Sequence, residues 1–310
     1  MKYGLLSGIL WGLDTVILGI GLALAPYIGT PEALAYASIV GSFLHDAFCA
    51  LWLFGYMATR NRLGDTLAAL KTRSGKVVIV GALLGGPIGM TGYVVAIANL
   101  GAAYTAIISA FYPAVGAFLA FLLLKEKMSK GQLAALFLGL FGVMSMSLLS
   151  AGDSQVMNAP LGLFGALLTV VGWGSEAVLC AWGMQDDSVD NETALQIRET
   201  TSALVYGLVV LPVMGAWAFT AHAITSLATG YICLAGLAGA ASYLFYYKGI
   251  AVIGASRAMA LNISYSAWAV VFGLILLGTV PTLETIVCCI VILVGTILAA
   301  CDWNELFRFA

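Results

Sequence analysis

The chain has 310 residues, of which 62% are hydrophobic and only 9% charged, with a formal net charge of −2 and 36 glycines. A soluble domain carries nearer a quarter of its residues as charges, so no water-facing surface can be drawn from this composition, whereas a lipid-facing one needs almost none. The glycines fit the same picture, because helices in lipid approach one another through small residues.

Apolar runs of bilayer length follow one another along the chain at 3–25, 33–57, 76–99, 102–124, 131–150, 160–183, 194–219, 225–247, 255–278 and 282–301, about ten spans in all. Barrel strands would alternate and be about half as long, so the expected fold is an all-α integral membrane protein. The first run contains Ala23-Leu24-Ala25, which resembles a signal-peptidase site. The run is longer than a signal's apolar stretch and has a partner in mid-chain, so we read it as a retained span. It also carries Trp11 and Asp14, and the second run carries His45-Asp46. Pro87 and Pro113 predict kinks in the third and fourth. The sixth contains Trp173 and Glu176, and the seventh Arg198-Glu199. Tyr243, Tyr246 and Tyr247 cluster in the eighth, and Asn262, Tyr265 and Trp268 recur every third residue in the ninth. Trp52, Trp217, Trp303 and Tyr231 read as interfacial belt residues.

Threading ten spans from a cytoplasmic N-terminus places Lys2, Arg60, Arg62, Lys71, Arg73, Lys76, Lys125, Lys127, Lys130, Lys248, Arg257 and Arg308 on the cytoplasmic side. Only Arg198 is left over, inside a span. This is the positive-inside pattern, and it predicts both termini inside. The acidic turn Asp186, Asp187, Asp190, Glu192 falls on the same side, where acids weigh little in the rule. Cys49, Cys180, Cys233, Cys288, Cys289 and Cys301 all lie in apolar spans and read as packing thiols, with no metal-ligand partners around any pair.

The chain repeats itself. Gly101-Ala102 recurs as Gly254-Ala255, and the same offset pairs Ser109 with Asn262, Tyr112 with Tyr265, Tyr93 with Tyr246, and His45-Asp46 with Arg198-Glu199. At a slightly different offset Trp11-Gly12-Leu13-Asp14 recurs as Trp173-Gly174-Ser175-Glu176. The expected organisation is therefore two five-helix units, 1–150 and 151–310. An odd number of spans per unit turns the second upside down. Inverted repeats of this kind belong to secondary transporters, with the substrate near the bilayer midplane.

Charges inside spans are costly and are usually paired or functional. In the first and sixth runs the acid follows the tryptophan by three residues, which sets both on one helix face. Aromatic rings hold organic cations through their quadrupoles, and a carboxylate in low dielectric adds to the attraction. Four acids against one arginine and a histidine leave the interior net negative, which favours a cation. The candidate substrate-binding residues are Trp11, Asp14, Trp173, Glu176, Tyr243, Tyr246, Tyr247, Asn262 and Tyr265. His45, Asp46, Arg198 and Glu199 are candidates for coupling or gating, or else for helix-to-helix ties. The chain has no P-loop, no H-E-x-x-H and no G-x-S-x-G, so neither ATP-driven transport by this chain nor a soluble-type hydrolase is expected. An intramembrane protease with Asp14 and Asp46 as a dyad is conceivable, but duplication of each acid argues against it.

The five-plus-five plan resembles the drug/metabolite transporter superfamily in its EamA-type branch, over essentially the whole chain. GLLSGILWG at 4–12, GPIGM at 86–90, WGSEAVL at 173–179, IRETTSAL at 197–204, SYLFYYKGIAVI at 242–253 and ALNISYSAWAVVFG at 260–273 resemble the LicB-type bacterial choline transporters. The resemblance implies import of choline across the bacterial inner membrane. It also implies an aromatic cage from Trp11, Trp173 and a tyrosine of the 243/246/247 cluster, with Glu176 near the cationic head. The family pattern does not call for an acid at Asp14, which suits a protonatable amine or a proton. Export of amino acids or small amines is the rival within transport, and a non-transporting sensor or hydrolase the rival outside it. No cofactor, metal or nucleic acid is expected, and ten spans around one site need no partner chain.

Overall fold

A computed structural model describes residues 1–149, 156–186 and 188–301. Asp187, Trp303 and Arg308 lie outside the described residues. The described residues form helices and no strand, and ten of the helices are long and apolar enough to cross a membrane. These are α1 Lys2–Leu22, α2 Pro31–Thr59, α3 Arg73–Leu100, α4 Ala103–Leu123, α5 Lys130–Leu149, α6 Ala159–Gly183, α7 Asn191–Met214, α8 Leu227–Ile253, α9 Ala255–Leu277 and α10 Leu283–Ala300.

Several of the spans begin where the sequence supplies a side-chain cap. Thr30, Thr72, Asn158, Asp190, Ser226 and Thr282 each accept a hydrogen bond from the backbone three residues on, which satisfies one of the orphan N–H groups at a helix start. Gly101 opens the link from α3 to α4 and Gly254 alone joins α8 to α9, at φ of 83° and 86°. The repeat thus reaches down to the backbone, because a side chain at either position would be strained.

Three spans differ from expectation. α4 is broken at Ala110–Phe111, and Pro113 opens its second part as a helix-start residue instead of kinking a continuous span. Its repeat partner α9 is broken at Ile263–Ser264 without any proline. α7 stops at Met214, short of the expected 219, because Gly215 turns left-handed at φ 69° and Trp217–Ala223 forms a separate short helix. Pro87 lies in a π-helical turn, Leu84–Ile88, inside α3. A second π-helical turn, Tyr206–Val210, interrupts α7. Such turns reseat the backbone groups that a regular helix would leave in register.

Packing exchanges elements between the two units. α1 lies against α8 and α9, α6 lies against α3 and α4, and α5 pairs with α10. α2 packs on α7 and α8, and α7 packs on α3, which closes the centre. The α3–α6 crossing depends on small residues. A Cβ at Gly92 would stand 2.6 Å from the Gly165 carbonyl, and one at Gly165 would stand 2.6 Å from the Gly92 carbonyl. The outward faces carry exposed Leu34, Phe118, Phe121, Phe137, Phe141 and Leu208, which suit hydrocarbon.

Candidate functional site

Each five-helix unit contributes an acid–base–acid set to the centre. In the first, His45 Nε2 lies 3.0 Å from Asp14 Oδ1, and its Nδ1 lies 3.4 Å from Asp46 Oδ1. In the second, Arg198 Nε donates to Glu176 Oε1 at 2.7 Å and Nη1 to Glu199 Oε1 at 2.8 Å. The sets meet where Ser202 Oγ donates to Asp46 Oδ2 at 2.6 Å, with Arg198 Nη1 3.8 Å from the same oxygen. All six charged or titratable residues are buried. Taking two charge centres this far out of water is tolerable only with partners, and these partners come from four different spans.

Glycines make room for both acids. A Cβ at Gly85 in α3 would fall 1.6 Å from Glu176 Oε2, and one at Gly239 in α8 would fall 2.9 Å from His45 Nε2 and 3.2 Å from Asp14 Oδ2. The acid of each leading span therefore lies against a glycine of the helix it crosses.

Beside this cluster stand two aromatic groups related by the repeat. Trp11 meets Tyr265 edge to face at 6.4 Å and Tyr243 at 4.7 Å. Trp173 meets Tyr112 edge to face at 5.8 Å and lies 5.3 Å from Tyr93. Tyr93, Tyr112, Trp173 and Tyr265 line a cavity of about 640 Å³ that runs out past Ser109, Ser147 and Ser266 to Thr279–Thr282 and Thr285 at the α9–α10 turn. By alternation of the spans, that mouth is at the end opposite Lys125, Lys127 and Lys248. At the far end polar contacts tie helix ends to one another. The Glu126 carboxylate accepts from Ala255 N, Ser256 N and Ser256 Oγ at 2.9, 3.0 and 2.7 Å, capping the start of α9. Arg60 pairs with Glu192 at 2.7 Å, Arg62 pairs with Asp190 at 2.5 Å and also with Glu192, and Tyr56 donates to Glu192 at 2.8 Å. Burial pushes the Asp190 carboxyl up, but hydrogen bonds from Thr193 and Arg62 outweigh it and hold it below the ordinary carboxylate range.

The residues the sequence points to thus fall into four places. Trp173 and Tyr265 line the cavity. Trp11, Tyr243, Asp14, Glu176, His45, Asp46, Arg198 and Glu199 form the cluster behind it. Asn262 accepts from Tyr112 Oη at 3.2 Å and donates to Ser7 Oγ at 2.8 Å, bracing the aromatic wall. Tyr246 and Tyr247 are buried outside the cavity lining, with Tyr247 Oη donating to Cys180 Sγ at 3.2 Å. Tyr93 and Tyr112 were not among the chosen binding residues. The offset that picks out Tyr265 lands on Tyr112, so the repeat itself carried the signal. Among the described residues no group of three or more His, Cys, Asp and Glu is placed to hold a metal ion.

A ten-span helical bundle of two repeated halves, with a polar cluster at its centre and an aromatic cavity open to one face, is the architecture of a membrane transporter. The EamA-like transporter family model matches residues 1–148 and again 160–301, and the chain belongs to that family. It is 30% identical over 278 residues to "Protein LicB" of Haemophilus influenzae, covering 88% of each chain. One crystal structure, described only as that of a protein, superposes with a TM-score of 0.71 over 96% of both chains at 15% identity, which speaks to the fold alone. The protein is therefore a multi-pass membrane transporter of a small molecule.

Proposed function

We propose that the protein imports choline, or a closely related quaternary ammonium cation, across a bacterial inner membrane by alternating access. The observation that carries this reading is the juxtaposition of a cavity walled by Tyr93, Tyr112, Trp173 and Tyr265 with a buried cluster holding more carboxylates than bases. A trimethylammonium head has no N–H to donate, so rings and a diffuse negative field recognise it better than hydrogen-bond acceptors do. The LicB-type resemblance of six strings along the chain supports the same substrate. With both termini inside, the cavity mouth at the α9–α10 turn faces the outside, as loading of an imported substrate requires. An inside-negative potential then contributes about 2.3 kcal/mol per charge per 100 mV. His45, Asp46, Arg198 and Glu199 are the groups through which opening of the far end is coupled to occupancy.

The test is calorimetric binding of choline, betaine, carnitine, ethanolamine and arginine to purified protein, beside Trp173→Ala and Glu176→Gln, followed by labelled-choline flux into proteoliposomes. Tight choline binding lost in both variants, with uptake driven by an inside-negative potential, is the expected result. No binding, or variants that bind like the parent, would sink it. Accumulation only in the opposite orientation would favour an amine exporter.

A further inference from the structure

If the substrate is an organic cation, the place prepared for it behind the cavity already holds one. The Arg198 guanidinium lies 4.8 Å over the Tyr243 ring, with Nε 2.7 Å from Glu176 Oε1. Tyr243 is also the ring against which Trp11 packs at 4.7 Å. Ring face, indole neighbour and carboxylate are the three elements that recognise a quaternary ammonium head. In this arrangement they recognise a side chain of the protein itself. Glu176 is neutralised by that contact and offers an arriving cation little attraction while it lasts.

The cluster also contains a second berth for the guanidinium. Arg198 Nη1 already reaches Glu199 Oε1 at 2.8 Å. Among the described residues Glu199 Oε2 is fully buried and has no hydrogen-bond partner, which is costly for a carboxylate oxygen. Asp46 Oδ2 stands 3.8 Å from the same nitrogen, just beyond a normal hydrogen bond. A swing of the planar guanidinium away from Glu176 completes a two-pronged pair with Glu199 and closes the gap to Asp46. Arginine, unlike lysine, has the fork that such a pair needs. Four carboxylates surround the two bases, so a second permanent cation is accommodated without expelling the first.

We propose that Arg198 is a tethered cation that holds the substrate's acid-and-ring seat when the transporter is empty, and that the substrate's cationic head displaces it from Glu176 and Tyr243 onto Glu199 and Asp46. Arg198 is then a specificity-determining residue. A ligand must outcompete a guanidinium already in place, which favours a head that gains more from the rings than from hydrogen bonds. Its shift alters the contact between α7 and α2, the two helices that meet at the centre, and so reports occupancy to the far end. The proposal rests on the organic-cation reading.

Tetramethylammonium binding to the purified full chain separates the two. It is followed by tryptophan fluorescence and calorimetry in the parent, Arg198→Ala and Arg198→Lys. Removing the competitor is expected to tighten binding by about tenfold or more, the equivalent of one charge-assisted hydrogen bond. Millimolar methylguanidinium should reverse the gain in Arg198→Ala and leave the parent unaffected. Where Arg198→Ala does not fold, Arg198→Lys carries the test, since an ammonium cannot lie flat on Tyr243 and should yield the seat several-fold more easily. Unchanged or weaker binding in the folded variants, with a parent that binds, overturns the tether and leaves the cation reading standing. No binding by the parent or any variant overturns both.

Discussion

Replacing Gly85 with alanine tests the central ion cluster without touching any charged residue. The new Cβ would lie 1.6 Å from Glu176 Oε2, 2.3 Å from its Cδ and 2.7 Å from its Cβ. No rotation of the carboxylate alone relieves a clash that includes the Cβ, so the Glu176 side chain must leave Arg198. The loss is one buried charge-assisted hydrogen bond, about 1.5–3 kcal/mol. Overpacking of the α3–α6 contact adds about 1–3 kcal/mol. At about 2–4 °C per kcal/mol for a chain of this order of size, purified Gly85→Ala should melt roughly 5–24 °C below the parent. Gly239→Ala is the matching test beside the other leading acid, but the nearest atom is the far end of the His45 ring at 2.9 Å, which can give by a few tenths of an ångström. That variant should lose about 1 kcal/mol or less. Gly55→Ala, with nothing within 4 Å, is the control and should match or exceed the parent. The reasoning fails if Gly85→Ala melts with the control, or if Gly239→Ala is the more damaged of the pair.

Trp173→Ala removes the ring shared by Tyr93 and Tyr112 and should weaken tetramethylammonium binding about 2–30-fold, as read by calorimetry. Glu126→Gln halves the cap on α9 and should loosen the far end by about 1 kcal/mol, seen as a roughly fivefold faster alkylation of an Arg257→Cys reporter. The Asp190 carboxyl is held below its ordinary range, so its pairing with Arg62 stabilises the fold above about pH 3.9 and fades as pH falls through the lower folded value. Between pH 5 and pH 3, Asp190→Asn, which keeps the helix cap, should therefore lose less melting temperature than the parent.

The number of spans and the repeat were legible because lipid leaves a chain few options. A charge in a span needs a partner, but which base answers Asp14 and which answers Glu176 was not legible, since His45 and Arg198 reach them from other helices. The acidic turn at 186–192 looked indifferent to the charge rule. In the fold it answers Arg60 and Arg62, a contact between loops more than a hundred residues apart. The breaks in α4 and α9 were not legible, since Pro113 marks one and nothing marks the other. Tyr246 and Tyr247 lie outside the cavity lining, and spacing along one helix does not say which neighbour the helix turns that face toward. Tyr247 faces Cys180 of α6.

The exchange of leading helices also sets an order for biogenesis. α1 and α2 leave the ribosome with Asp14, His45 and Asp46, two acids that share a single base. Ser202 and Arg198 of α7 come about 150 residues later, and the α8 and α9 surfaces that cover α1 later still. Synthesis at about 5–20 residues per second makes that interval roughly 8–30 seconds, during which Asp46 sits in the membrane or its insertion machinery without its final partners. A half of this protein made alone would expose the same unanswered charges for good. The two halves are therefore one unit in synthesis as well as in operation, and truncation after α5 should yield a product marked for degradation.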